Sequence, residues 1–302
     1  MIRDPIPALQ SLIRDYLASK NISEKVEIDG EVSSSAPWRP HVFERKIFRG
    51  WHIHAVAPTS DSWALRALRA TAKVTKLRVG IAVLEEFLSD EDFLDSCHQL
   101  NAAIIIFKAT KDTFLPVSFY NSVDDLIYQR RLKLSLNCAA RILDRSLIRA
   151  LAAGTKVRKG VLLEVLVAVL LSQVDGFEVT DVGISNRTQQ MDVMVHNRNV
   201  GGALSTSPVV LAEAKNWRDP VGTDEYANFV RKIESRHRRA KLGYFVTTGN
   251  FTSGVTLERR RESTSETLVV LLDKITLPNV WRGEHSITES VERATMLAAI
   301  GT

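Results

Sequence analysis

The stretch PVVLAEAKNW, residues 208–217, holds the side chains of this chain best placed to do chemistry. Strand side chains alternate between faces, so Val209, Leu211, Glu213 and Lys215 share one face while Val210, Ala212 and Ala214 share the other. Two opposite charges therefore project from the end of an otherwise apolar strand. Burying a charge is unfavourable unless it is paired or bound to a metal, so the pair asks for a partner. The preceding run QMDVMVH, residues 190–196, supplies one: Asp192 and Met194 face away from Met191, Val193 and Val195. If the two runs pair antiparallel, Asp192 lies beside Glu213 near the open end. Two such carboxylates repel unless a cation sits between them, and hard oxygen ligands suit Mg2+ or Mn2+. Lys215 is then placed to hold a phosphate oxygen or to orient an attacking water.

A fourth charge lies upstream. Glu164 is flanked by Val161, Leu162, Leu163, Val165, Leu166 and Val167, in a helix apolar on almost every side, the pattern of a helix buried all round. A lone acid there needs a partner, and pointing toward the metal site would meet that need.

Positioning these groups takes an ordered set of elements. The predicted order is a helix at about 159–174, strands at FEVTDVG, QMDVMVH and PVVLAEAK, a helix at about 224–240, and strands at LGYFVTT and TLVVLLD. Ser286 and Glu289 have capping-box spacing and open a terminal helix. The N-terminal half predicts a helix over about 5–19, strand-like runs at 25–29 and 46–56, and an amphipathic segment at 62–73. LRVGIAVL and AAIIIF read as strands with a helix between them that starts on Ser89 or Asp90, and further helices fall near 123–133 and 137–153. Alternating strands and helices imply α/β layers. The polar stretch after Ala150 suggests a boundary between an N-terminal α/β domain of unknown role, 1–150, and a second domain, 151–302, that carries the four charged residues.

Composition is compatible with this and excludes several classes. The 302 residues are 45% apolar and 25% charged, which is globular rather than disordered or collagen-like. Forty Lys and Arg against 35 acids give +5, a mild bias toward polyanionic partners. With Cys97 and Cys138 as the two cysteines, a stapled secreted domain is excluded and a reducing, cytoplasmic setting is expected. The most apolar stretch, Val161 to Leu171, is far short of the ~20 residues needed to span a bilayer, and no signal peptide is visible.

The arrangement of Glu164, Asp192, Glu213 and Lys215 resembles the PD-(D/E)XK nuclease superfamily, the restriction-endonuclease-like fold. Over about 155–275 it looks most like the Mrr-type restriction endonuclease domain, since LAEAKN is followed by a helix and then by GYFVTTGNFTSG. The resemblance implies a central mixed sheet flanked by helices. It maps the metal-binding Asp to Asp192, the Glu-x-Lys to Glu213 and Lys215, and the helix acid to Glu164, with Ala214 in the metal set beside Asp192 and Glu213. It implies Mg2+- or Mn2+-dependent hydrolysis of DNA phosphodiesters, in restriction or defence against foreign DNA. Relatives commonly carry a glycine-rich acidic turn where this chain has Gln189, Gln190 and Met191.

Six basic residues between Arg231 and Lys241 face one acid, Glu234. Asn216, Lys232, Arg236, Arg238 and Arg239 are therefore expected to contact nucleic acid, although cations at a helix C-terminus stabilise its dipole without any ligand. Two cuts on a duplex call for two sites, so a homo-oligomer is compatible with this reading. A structure-specific repair or junction nuclease using the same residues stays open, as does a catalytically silent DNA-binding or assembly protein. Glu44 and Lys46, preceded by Asp29, form a second acid-x-Lys triplet without the apolar lead-in. His52 with His54, and Cys97 with His98, have no second ligand pair at metal spacing.

Overall fold

β-Branched and aliphatic runs of this chain pair into two separate sheets. The computed structural model describes residues 51–55, 78–109, 114–185, 190–236, 239–261 and 266–301. The helix expected over 5–19, the run at 25–29, the segment at 62–73 and the triplet of Glu44 and Lys46 lie outside the described residues. The chain divides into two units, Met1–Leu126 and Ile127–Thr302.

In the first unit, β1 (Trp51–Ala55), β2 (Arg78–Leu84), β3 (Ala103–Ala109) and β4 (Phe114–Tyr120) form a sheet in that order. β1, β2 and β3 are parallel and β4 is antiparallel to β3. Helix α1 (Glu91–Gln99) joins β2 to β3, and its N-cap is Asp90, one of the two starts the sequence allows, which accepts a 3.0 Å bond from the Phe93 N–H. His98 is buried, with Nε2 3.2 Å from Asp124 Oδ1, a structural pair. Strand β4 was not anticipated. Pro116 interrupts its pattern, which an edge strand tolerates.

Helix α2 (Val123–Arg130) carries the division between the units. The second unit continues with α3 (Leu136–Ala152), α4 (Lys156–Ser172), β5 (Phe177–Ser185), β6 (Gln190–Asn197) and β7 (Val209–Lys215). Then follow α5 (Thr223–Glu234), β8 (Ala240–Thr247), α6 (Ser253–Arg261), β9 (Leu268–Leu272), α7 (Thr276–Arg282) and α8 (Ile287–Ala299). The sheet order is β5-β6-β7-β8-β9, antiparallel from β5 through β7 and parallel from β7 through β9. The parallel half follows from the helical crossovers α5 and α6, which return the chain to the same end of the sheet. Ser286 and Glu289 form the expected capping box on α8.

The division falls ahead of the expected position near Ala150, because α3 packs within the second unit. Asp144 on α3 accepts 2.8 Å bonds from Trp281 Nε1 and Arg282 Nε. Lys133 Nζ donates to the carbonyls of Ser172 and Val174. Helices α6 and α7 were not anticipated either. α6 buries Val255 but shows no apolar stripe, and α7 is seven residues long with Pro278 in its first turn. Among the described residues no helix is long and apolar enough to cross a membrane.

The core that fixes the site lies between α5 and the sheet. Tyr226, Phe229, Val230 and Ile233 of α5 pack on Leu211, Phe245 and Val269, with the Phe229 and Phe245 rings 5.3 Å apart. Gly243 permits this close approach. A Cβ there would come within 2.5 Å of Ile233 and 2.8 Å of Phe229.

Candidate active site

The site forms where β6 and β7 separate. Their ladder runs from His196 opposite Val209 to Val193 opposite Ala212 and continues no further. The next residues, Asp192 and Glu213, form a fork. There the Ala214 N–H, without a β6 backbone partner, donates instead to Asp192 Oδ2 at 2.8 Å. In an extended strand the N–H and C=O of one residue point to the same side, so the Ala214 carbonyl also points into the fork. Glu213 lies opposite Phe245 of β8, on the face that α5 covers. Both carboxylates are buried.

Glu213 is held from two directions. Lys215 Nζ donates to Oε1 at 2.6 Å, and Lys232 Nζ, from the last turn of α5, donates to Oε2 at 2.7 Å. Lys215 also sits over the half-exposed Trp217 ring, 5.6 Å from its centroid. These groups line one cleft of about 670 Å³ together with Lys156, Lys159, Glu164 and Arg218.

Glu164 completes the acidic set. Burial raises its pKa to about 7, with the nearby charges of Asp192 and Glu213 pushing the same way and Lys215 opposing. Burial, then Glu213, also raises Asp192, while the Ala214 N–H and both lysines pull it down. Gly183 of β5 makes room for this helix acid. Its φ is +66°, and a Cβ there would stand 3.3 Å from Glu164 Oε2. The helix itself is less enclosed than its composition suggests. Leu166 to Ser172 are buried, but Val157 and Val161 in the first turns are exposed, so Glu164 sits where burial begins.

The end of β7 is fixed by the turn after β8. Thr247 Oγ1 donates to the Lys215 carbonyl at 2.9 Å, and Thr248 Oγ1 donates to Asn216 Oδ1 at 2.7 Å. This is the local role of the GYFVTTG stretch: it locks the strand that carries Glu213 and Lys215.

The sequence-predicted nucleic-acid contacts divide. Lys232 faces the site, but its partner is Glu213. Asn216 differs from expectation, because its amide donates to the carbonyls of Ala150 and Lys159, tying α3 and α4 to β7. Both its N–H groups are thus engaged structurally. α5 ends at Glu234, short of the predicted 240, so Arg236 and Arg239 lie beyond it. Arg236 folds back on β6, with Nη2 2.9 Å from Met191 Sδ, instead of reaching outward. Arg239 is exposed, and Arg238 lies outside the described residues. The basic residues that do line the cleft, Lys156, Lys159 and Arg218, were missed, as was Trp217. Trp217 could have been found as the next residue on the Glu213 and Lys215 side, two positions on.

The donor set fits a hard divalent cation: two buried carboxylates and a carbonyl at one fork, with a third carboxylate nearby. Among the described residues, no three His, Cys, Asp or Glu side chains close on one point as a finished metal shell.

A mixed five-stranded sheet flanked by helices, with acids and a lysine at the fork of its central strands, is the restriction-endonuclease-like fold. Residues 159–280 match the Mrr_cat family model, described as a restriction endonuclease, and this stretch is similar to Mrr-type domains of the PD-(D/E)XK kind. No curated protein matches the chain.

Proposed function

We propose that the second unit is a divalent-metal-dependent DNA endonuclease. The observation that carries this reading is the convergence of Glu164, Asp192, Glu213 and Lys215 on one cleft rimmed by Lys156, Lys159 and Arg218. Asp192, Glu213 and the Ala214 carbonyl would hold Mg2+ or Mn2+. Such an ion supplies Lewis-acid polarisation of the scissile phosphate and lowers the pKa of a bound water.

The protein's own groups do the rest. Lys215 places positive charge where negative charge develops on the phosphoryl oxygens and orients the attacking water. Glu164, where the buried part of α4 begins, is placed to accept or relay a proton. Lys156, Lys159 and Arg218 meet the backbone phosphates, and Trp217 offers a face on which a base can stack. No covalent enzyme intermediate is needed.

Purified protein should nick or linearise plasmid DNA with magnesium present. Equal degradation by wild type and Lys215→Ala would mean a contaminant, and the reading would fail. Defence against foreign DNA is the biological setting in keeping with a restriction-type domain. Lower phage plating on cells expressing the wild type than on cells expressing Lys215→Ala tests it. The first unit is then a recognition or dimerisation module.

A further inference from the structure

Glu213 holds more positive charge than its own carboxylate balances. Its side chain is 6% exposed, and its two oxygens receive Lys215 and Lys232 at 2.6 and 2.7 Å. Each Glu213 oxygen thus already carries an ammonium group, and the neighbouring buried Asp192 balances the second positive charge, so the pair of acids and the pair of lysines are mutually neutral. A dication entering beside the ammonium groups adds repulsion that the buried setting screens poorly. One ammonium must therefore leave.

The geometry says which. Lys215 is two residues from Glu213 on the same strand, and its ammonium lies over Trp217. Lys232 comes from a different element at the end of a flexible four-carbon stem. Both lysines and Glu213 border a second depression of about 410 Å³, whose remaining lining, Glu225, Asn228 and Arg231, belongs to the helix of Lys232. What sets Lys232 apart is its place on α5, the element that supplies Glu225, whereas Lys215 is fixed on the strand of Glu213 itself.

Resting on the nuclease reading above, we propose that Lys232 is a resident counter-ion that holds Glu213 in the metal-free protein and must leave for the divalent cation to bind. A nucleic-acid phosphate arriving in the cleft offers the displaced ammonium a new anion, so substrate and metal favour each other's binding.

Calorimetric titration with Mn2+ alone tests the competition. Lys232→Gln should bind Mn2+ about tenfold more tightly than wild type, equivalent to about 1.4 kcal/mol, while Lys232→Arg, which keeps the charge, stays near wild type. Adding a cleavage-resistant phosphorothioate duplex should tighten Mn2+ binding to wild type and change Lys232→Gln less. Unchanged or weaker binding by folded Lys232→Gln overturns the proposal. Without any variant, the Lys232 ammonium resonance of the full chain should shift on magnesium addition, and a resonance that stays in place overturns it equally. Glu213→Gln separates the two readings. If it binds Mn2+ like wild type, the metal site itself is misplaced; if it loses Mn2+ while Lys232→Gln gains nothing, only the role of Lys232 falls.

Discussion

Asp192 Oδ2 accepts a 2.8 Å hydrogen bond from the backbone N–H of Ala214, one step beyond the last paired residues of β6 and β7. The carboxylate thereby replaces a ladder partner. The same contact fixes the acid beside Glu213, so on the proposed function one side chain serves both the sheet and the metal site.

That double duty separates two substitutions. Asp192→Asn keeps an oxygen for the Ala214 N–H and removes repulsion with Glu213, so its urea midpoint should equal or exceed that of wild type. Asp192→Ala leaves a buried donor without its acceptor and should lose about 1–3 kcal/mol. Both should lose cleavage. Equal stability of the two would mean that the hydrogen bond does not hold the fork.

On the nuclease reading, Lys215→Ala removes the charge proposed to face the reacting phosphate while leaving the sheet intact. Its turnover of plasmid should fall by about 10²–10³-fold, with an unchanged circular dichroism spectrum. A fall of less than that range would place the essential cation elsewhere, with Lys156 or Lys159 the next to test.

Glu164 makes the metal-free protein pH-sensitive. Its pKa rises from an ordinary 4.5 to about 7 through burial first and then the charges of Asp192 and Glu213. Between those values the folded protein binds a proton that the unfolded chain has lost, so stability declines as pH rises through the interval. Urea melts across it should show a steeper loss for wild type than for Glu164→Gln. Parallel curves for the two proteins would argue that Glu164 titrates normally.

Gly243→Ala should wedge α5 away from β8, because the added methyl would meet Ile233 and Phe229. The expected loss is about 1–3 kcal/mol of stability. Since α5 carries Lys232, its contact with Glu213 should loosen too, visible as a shift in the Lys232 ammonium resonance. A melting temperature equal to wild type would show that the helix has slack.

Asn216→Ala removes three hydrogen bonds that join β7 to α3, α4 and the turn after β8. Thermal melting should show a lower transition, with activity per folded molecule reduced because Lys215 is less firmly placed. Weaker DNA binding at unchanged stability would instead restore Asn216 as a nucleic-acid contact.

Alternation in VVLAEAK and QMDVMVH was enough to place Glu213 and Lys215 on one strand face and to bring Asp192 beside them, because strand periodicity is a local property. The capping box at Ser286 and the N-cap at Asp90 were legible for the same reason. Elements whose stability comes from partners were not: β4 with Pro116, and α6 with its single buried valine, have no apolar rhythm of their own. The site shows the same split. Only the packing of Phe229 and Ile233 over Gly243 decides that Lys232 reaches Glu213 rather than solvent, and only the hydrogen bonds of Asn216 turn it from the cleft to the scaffold. Those outcomes depend on distances between residues far apart in the chain, which spacing along the sequence does not encode.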